Sequence, residues 1–130
     1  TIRQIQALLP TWSVTQLALD TLAEAVADRE YAASSLQENE AERVRFSESL
    51  ERLGVFLFSA AANYLFLELP ADSPASSELR TRLISTHRIL IRNCDSYEGL
   101  APGRFIRLAV RSAEENRRLI EALAEELSLP

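Results

Sequence analysis

The sequence contains no lysine and no methionine, and it has only one cysteine and one histidine. Every one of its 14 lysine-or-arginine positions is an arginine, so no side chain offers the primary amine that a Schiff base requires. The single cysteine, Cys94, cannot form an internal disulfide or a cysteine-rich metal site. The single histidine, His87, excludes a metal site built from several histidines. We therefore expect neither a disulfide nor a bound metal.

An excess of positive charge is also missing, since the net charge is -5 and the pI is about 4.9. This balance argues against a partner made of nucleic acid or an anionic membrane surface, both of which need a basic face. No apolar run approaches the ~20 residues needed to span a bilayer, and no signal peptide is visible. We expect a soluble, cytoplasmic chain whose 47% apolar content builds one core.

Glycine and proline are both absent between Pro10 and Gly54. Apolar positions in this stretch recur at helical spacing. The pattern predicts one helix at about 14–27 and a second at about 29–53, with Asp28 as the N-cap of the second helix. Gly54 is a natural stop for that helix.

Two sequence pairs have the spacing of a capping box, in which a hydroxyl and a side chain three residues later satisfy helix-end amides. Ser13 with Gln16 precedes the first helix. Ser112 with Glu115 predicts the start of a last helix at about 113–127.

Four short segments are rich in aromatic and branched residues and are bounded by turn signals, as strands are; they lie at 55–60, 64–69, 89–94 and 104–111. A short helix is expected at 78–85, with Ser76 or Ser77 as its cap. The order α-α-β-β-α-β-β-α predicts an α+β fold, with a small, mainly antiparallel sheet covered by helices on one face.

Two of these strands each place one arginine in a row of otherwise apolar residues, because side chains alternate between the two faces of a strand. These are Arg92 in ILIRNC and Arg107 in RFIRLAVR. The opposite face of the last strand, which carries Ile106, Leu108 and Val110, should meet the helices. If the two strands are neighbours, their guanidinium groups converge and suit a dianionic ligand. The alternative is that each arginine pairs with a nearby carboxylate or extends into water.

Other residues are weaker candidates for chemistry. Cys94 is expected to be a small core residue rather than a nucleophile. His87 lies near a helix C-terminus, where a cation is mildly stabilising, and Trp12 is expected to anchor the first helix. The sequence has no glycine-rich phosphate loop, no GxSxG and no HExxH.

The C-terminal stretch ILIRNCDSYEGLAPGRFIRLAVRSAEENRRLIEALAEEL resembles the end of pyridoxal-phosphate enzymes of the aspartate-aminotransferase fold. Within that fold it is most similar to the threonine-phosphate decarboxylases, close relatives of the histidinol-phosphate aminotransferases. LLPTWSVTQLAL resembles the segment that links their large and small domains, and SAAANYLFLEL resembles a strand pair of the small domain. The resemblance covers essentially the whole chain.

This resemblance implies a role for each of the two arginines. Arg107 matches the arginine that grips the substrate's α-carboxylate, and Arg92 matches the one that contacts its phosphate. The family's Schiff-base lysine and phosphate cup have no counterpart here. The resemblance therefore implies that pyridoxal phosphate belongs to the full-length enzyme and is not held by this chain alone.

The resemblance also predicts how the chain is organised and what it binds. Residues 1–27 would be a linker and first helix, and residues 28–130 the body of a single small domain within a larger enzyme. Its partners would be the large domain, a second copy in a homodimer, and a phosphorylated amino-acid substrate. The activity implied is decarboxylation of threonine phosphate to aminopropanol phosphate for cobalamin biosynthesis.

Three other functions are open at this point. The first is a histidinol-phosphate aminotransferase, which would use the same arginines. The second is a stand-alone ligand-binding domain without enzymatic activity. The third is a helical interaction module that uses residues 14–53.

Overall fold

The computed structural model of the protein describes residues 14–128 and divides the chain into two compact units, Thr1–Leu36 and Gln37–Pro130. The residues predicted to cap and anchor the first helix, Ser13 and Trp12, lie outside the described residues. The prediction of one small domain with a boundary near residue 28 stays a prediction.

The first helix, α1, spans Gln16–Ala27 and buries none of its side chains. Its N-cap is Thr15, whose hydroxyl accepts a hydrogen bond from the amide of Ala18 at 3.2 Å. Gln16 is the first residue of the helix, and its side-chain amide donates to Asp20 at 2.7 Å.

The second helix, α2, spans Arg29–Glu51. The carboxylate of Asp28 accepts from the amide of Tyr31 at 2.9 Å, which confirms the predicted cap. The helix ends two residues before the predicted position, and Gly54 follows with a φ of 77°. Glycine adopts this left-handed conformation without a steric penalty, so it ends the helix there.

Four antiparallel strands form one sheet in the order β1-β2-β4-β3. They are β1 Phe56–Leu57, β2 Tyr64–Glu68, β3 Arg92–Asn93 and β4 Phe105–Ala109. The two edge strands are shorter than predicted because an edge has a partner on one side only. Single backbone bonds still continue both ladders, from Phe58 to Phe66 and from Cys94 to Phe105, each at 3.0 Å.

The third helix, α3, spans Ser76–Arg82 and continues as a π-helical turn, Leu83–His87. Arg88 ends the turn in the left-handed region, with a φ of 58°. The predicted serine cap is wrong, because Ala75 occupies the N-cap position and no side chain caps the helix. The hydroxyl of Ser76 donates instead to Asp95 at 2.8 Å.

The last helix, α4, spans Ala113–Ser128. The predicted capping box at its start is present. The hydroxyl of Ser112 donates to the carboxylate of Glu115 at 2.9 Å and accepts from the amide of Glu115 at 3.4 Å. These bonds, with Arg111 alongside, hold the pKa of Glu115 below its usual value.

One face of the sheet supplies the core, as the alternation predicted. Side chains from the two central strands and from α2, α3 with its π turn and α4 form one buried cluster, which includes Leu65, Leu67, Ile106, Leu108, Phe46, Leu50, Leu79, Leu83, Leu119 and Leu123. Each such side chain contributes roughly 1.5–3 kcal/mol when it leaves water. The α+β prediction, its element order and its antiparallel sheet are confirmed.

No helix within residues 14–128 is both long and apolar enough to cross a membrane.

Candidate functional site

The two arginines singled out from the sequence are direct cross-strand partners. The register of β3 against β4 places Arg92 opposite Arg107. Directly opposed residues of antiparallel strands project from the same face, about 4.5–5.5 Å apart at Cβ. Arg107 is half-buried and Arg92 is exposed, so the pair lies at the edge of a solvent-accessible surface.

Arg107 lies against an aromatic ring. Its guanidinium carbon is 4.6 Å from the centroid of the Tyr64 ring, a cation–π distance. Its other cross-strand partner, in β2, is Phe66. The N–H groups of a guanidinium lie in its plane, where a carboxylate or phosphate binds.

Arg92 and Arg107 line a common cavity of about 470 Å³, together with a third arginine, Arg80 of α3. The remaining lining residues are uncharged: Asn63, Tyr64, Leu90, Ile91, Asn93 and Ala109. The cavity walls thus carry three positive charges and no carboxylate. A surface of this kind attracts an anion that bears more than one charge.

Several arginines outside this cavity have carboxylate partners. Arg82 lies 2.7 Å from Glu78, Arg111 lies 2.8 Å from Glu115, and Arg117 lies 2.8 Å from Glu121. Among residues 14–128, no ion pair involves Arg80, Arg92 or Arg107. The alternative that Arg92 or Arg107 pairs with a nearby carboxylate is therefore not met, whereas the exposure of Arg92 agrees with the alternative that its side chain extends into water.

A second cavity, also of about 470 Å³, shares Arg107 with the first and has a mainly apolar lining that also includes one carboxylate, that of Glu98. Its walls include Phe58, Phe66, Tyr97 and Leu100. Arg107 thus lies between a basic cavity and an aromatic one.

The aromatic side chains form a continuous patch on the face of the sheet opposite the core. The rings of Phe66 and Phe105 stack at 5.6 Å between centroids, and Phe58 lies 4.9 Å from Phe66. Phe56 extends the patch with an edge-on contact to Phe58 at 5.1 Å. We call these four rings the aromatic patch; Phe56 is 62% exposed and Phe58 39%.

Cys94 is buried, as expected, with 1% of its surface exposed. Burial raises the pKa of its thiol, although the positive charges of Arg107 and Arg92 act in the opposite direction. A neutral buried thiol is a poor nucleophile. Cys94 therefore serves as packing next to the two arginines.

Asp95 connects the end of β3 to the start of α3. One of its carboxylate oxygens accepts from the amide of Gly103 at 2.9 Å and from the hydroxyl of Ser76 at 2.8 Å. The other oxygen accepts from Asn93 at 3.0 Å. These bonds, the one from Gly103 foremost, hold the pKa of Asp95 below its usual value. We call this group the Asp95 clamp; sequence reasoning did not find it, since its members are distant along the chain.

His87 contacts a buried carboxylate of the last helix. Its Nε2 lies 2.9 Å from the carboxylate of Glu126 on α4, and Glu126 is only 5% exposed. The contact ties the end of the π turn to α4.

Within residues 14–128, no group of His, Cys, Asp and Glu side chains could hold a metal ion.

Three curated proteins are similar to most of the chain and are much longer than it. The adenosylcobalamin biosynthesis bifunctional protein CobDQ of Leptospira interrogans is 32% identical over 121 residues, which cover 92% of this chain and 14% of that protein. Threonine-phosphate decarboxylase of Salmonella typhimurium is 36% identical over 118 residues, 90% of this chain and 31% of that protein. Histidinol-phosphate aminotransferase 1 of Archaeoglobus fulgidus is 34% identical over 133 residues, 93% of this chain and 39% of that protein.

Two solved structures are also similar to nearly the whole of this chain. A decarboxylase from Sulfurospirillum multivorans superposes with a TM-score of 0.77 at 27% identity, covering 97% of this chain and 37% of that one. The histidinol-phosphate aminotransferase of Clostridium acetobutylicum superposes with a TM-score of 0.76 at 27% identity, covering 95% of this chain and 36% of that one. The chain thus spans well under half the length of each of these proteins.

The sequence pattern of aminotransferase class I and II matches residues 1–123. Since this match extends over nearly the whole chain and the fold agrees with it, the chain belongs to the aminotransferase class I and II family.

Proposed function

We propose that this chain is the substrate-binding small domain of a pyridoxal-phosphate-dependent L-threonine-O-3-phosphate decarboxylase, active in cobalamin biosynthesis. The observation that carries the proposal is the cavity in which Arg92 and Arg107 meet without a carboxylate. Similarity to the threonine-phosphate decarboxylase of Salmonella typhimurium and to the cobalamin protein of Leptospira interrogans supports this substrate.

The residues of this chain do not fit the reactive end of the cofactor. The chain has no lysine, so it cannot form an imine with pyridoxal phosphate. In the proposal, the cofactor and its lysine belong to the part of the relatives' length that this chain does not cover. This chain would contribute binding and orientation of the substrate.

The proposed division of labour between the two arginines follows from the family resemblance, and the charge of the cavity supports it. Arg107, whose guanidinium carbon lies 4.6 Å from the centroid of the Tyr64 ring, binds the substrate carboxylate through paired N–H groups, and Arg92 binds the phosphate. Gripping both ends of a small substrate fixes the direction of the bond to its carboxylate relative to the cofactor. Such positioning is what the protein adds to the chemistry of the cofactor.

The aromatic patch supports a further part of the proposal, that the large domain covers this face. Exposed aromatic clusters on a folded unit usually mark an interface. The apolar side chains of α1 are also exposed, among them Leu17 at 73% and Leu22 at 54%. A homodimer and a cytoplasmic location belong to the same proposal.

Histidinol-phosphate aminotransferase is the second candidate, favoured by 34% identity to the enzyme of Archaeoglobus fulgidus. It would use the same two arginines. Only the reaction itself separates the two functions.

The test is an assay of the complete product of this reading frame with pyridoxal phosphate and threonine phosphate, scored as CO2 release. We expect release, and we expect R107A and R92A each to lower kcat/KM by roughly a hundredfold, because each removes charge-assisted bonds to an anion. R117A is the control, since Arg117 is exposed and pairs with Glu121 away from the cavity.

Two other outcomes would decide against the decarboxylase. Amino transfer from histidinol phosphate to 2-oxoglutarate, without CO2 release, would assign the aminotransferase function. Neither activity in the complete product would contradict the proposal of an enzyme of this kind.

A further inference from the structure

A third arginine, Arg80, lines the cavity beside Arg92 and Arg107. It lies on α3 rather than on the sheet, and neither strand alternation nor the family resemblance pointed to it. It is half-buried, so its side chain lies against the protein instead of extending freely into water.

The Asp95 clamp explains how α3 brings Arg80 to the cavity. Ser76 is fully buried and donates to Asp95, which follows β3 by two residues. Residues four apart lie on the same side of a helix, so Arg80 is on the side of α3 that carries Ser76. The bond that fixes the first turn of α3 next to the end of β3 therefore also sets Arg80 near Arg92.

The charges around the cavity indicate what it binds. Three guanidinium groups around one space repel one another. An anion bound between them is attracted to all three, and this attraction outweighs their mutual repulsion. A carboxylate supplies one negative charge and a phosphate about 1.5 to 2 at neutral pH. An amino acid with a phosphorylated side chain therefore brings two separate anionic groups whose total charge is close to that of the three arginines.

We infer that Arg80 is a further substrate-binding residue, which joins Arg92 at the phosphate and makes the site selective for a ligand that carries carboxylate and phosphate together. This inference rests on the proposed function and adds the residue that sets substrate class. Two arginines at one phosphate favour its dianionic form, because each arginine can make paired bonds to different phosphate oxygens. A phosphorylated amino alcohol lacks the carboxylate and leaves Arg107 without an anionic partner.

The experiment is an NMR titration of the chain with three ligands: O-phospho-L-threonine, L-threonine and inorganic phosphate. We expect the wild-type chain to bind O-phospho-L-threonine at about millimolar concentration, and at least tenfold more tightly than either other ligand. R80Q should lose about tenfold in affinity for the phosphorylated ligand and leave the weak binding of L-threonine unchanged. R52Q is the matched control, since it makes the same change at an exposed arginine of the chain that does not line the cavity.

The pH dependence separates a direct phosphate contact from a structural effect. The second pKa of a phosphate ester is about 6, so wild-type affinity should rise between about pH 5 and 7 as the ligand becomes dianionic. In R80Q this rise should be markedly smaller. A variant that merely loosened the fold would weaken binding equally across the pH range and for all ligands.

The outcomes distinguish this inference from the proposed function. A preference for O-phospho-L-threonine that R80Q retains in full overturns the role of Arg80 and leaves the decarboxylase proposal standing. A second outcome is that the complete product releases no CO2 while the chain still prefers O-phospho-L-threonine and R80Q loses that preference. This result overturns the decarboxylase proposal and keeps the inferred binding site. A wild-type chain that binds inorganic phosphate as tightly as phosphothreonine has an anion site without the inferred selectivity, which overturns the inference.

Discussion

Arg107 lies next to Arg92, to Tyr64 and to both cavities of the candidate site. Its register position opposite Arg92 supplies a second positive charge, and its guanidinium carbon lies 4.6 Å from the centroid of the Tyr64 ring. Because it borders both a basic cavity and an aromatic one, it can bind an anion while apolar surface lies on its other side. Lysine could not replace it, since an ammonium group offers no planar pair of donors.

Cys94, two residues from Arg92, gives a prediction about the reactivity of its thiol. Its thiol is 1% exposed and its pKa is raised by burial, so it should be largely unreactive in the folded chain. We expect a thiol reagent at pH 8 to modify it on the order of a hundredfold more slowly in buffer than in denaturant, because reaction requires opening of the fold. The rate of absorbance change with a chromogenic disulfide measures this directly. Equal rates in both conditions would show that the thiol is accessible in the folded chain.

At the scale of elements, the short strand β3 depends on interactions beyond its own ladder. It consists of two residues, and a strand of that length is held weakly by backbone bonds alone. The Asp95 clamp joins it to α3 and to Gly103, just before β4. Gly103 has a φ of 78°, and a Cβ at this position would lie 3.3 Å from the Cβ of Ala75. Glycine there allows the loop between β3 and β4 to approach α3 closely.

The clamp predicts a pH-dependent contribution to stability. The pKa of Asp95 is lower in the folded chain than the ~3.9 of a free aspartate, so the charged form stabilises the fold. This contribution is fully present at neutral pH and is lost as the pH falls through about 4 towards the folded pKa. D95N should lower the free energy of unfolding at pH 7 by about 1 kcal/mol, a value reduced for the exposure of the group.

Urea unfolding of wild type, D95N and D72N at several pH values measures this effect. Asp72 is an exposed aspartate for comparison, and D72N should match wild type. The gap between wild type and D95N should narrow below about pH 4, as Asp95 is protonated first in the unfolded chain and then, at lower pH, in the folded chain. A gap that is constant with pH would contradict the role assigned to the carboxylate.

At the scale of the whole molecule, the sheet has two unlike faces. One is covered by helices and forms the core, and the other carries the aromatic patch and the arginine cavity. A face of this composition is costly to leave in water, at about 25 cal/mol for each Å² of apolar surface.

We therefore predict that the chain on its own self-associates through the aromatic patch. F58S should weaken this association roughly tenfold, because it removes one large ring from the contact. V44S is the control, since Val44 is 51% exposed on α2 and does not belong to the aromatic patch. Sedimentation velocity over a range of concentrations measures the constant. A chain that stays monomeric at millimolar concentration would contradict this prediction.

Much of the fold could be predicted from the sequence, and the errors have physical causes. Helix α2, its Asp28 cap and the Ser112 box follow from local rules, since each involves residues within a few positions of one another. The Ser76 cap was wrong because a distant carboxylate, Asp95, competes for that hydroxyl. The lengths of β1 and β3 were overestimated, since strand length depends on the partner strand as well as on composition.

The positions of Arg92 and Arg107 in apolar strand rows and the lack of lysine follow from the sequence alone, because alternation and composition are local properties. The pairing of these two arginines across neighbouring strands, and the presence of Arg80 in the same cavity, depend on how distant segments pack. Nothing in the sequence near Arg80 distinguishes it from its neighbour Arg82, which pairs with Glu78. The difference arises because α3 packs against the end of β3. Along the chain, these two segments are separated by the π turn and the residues after it.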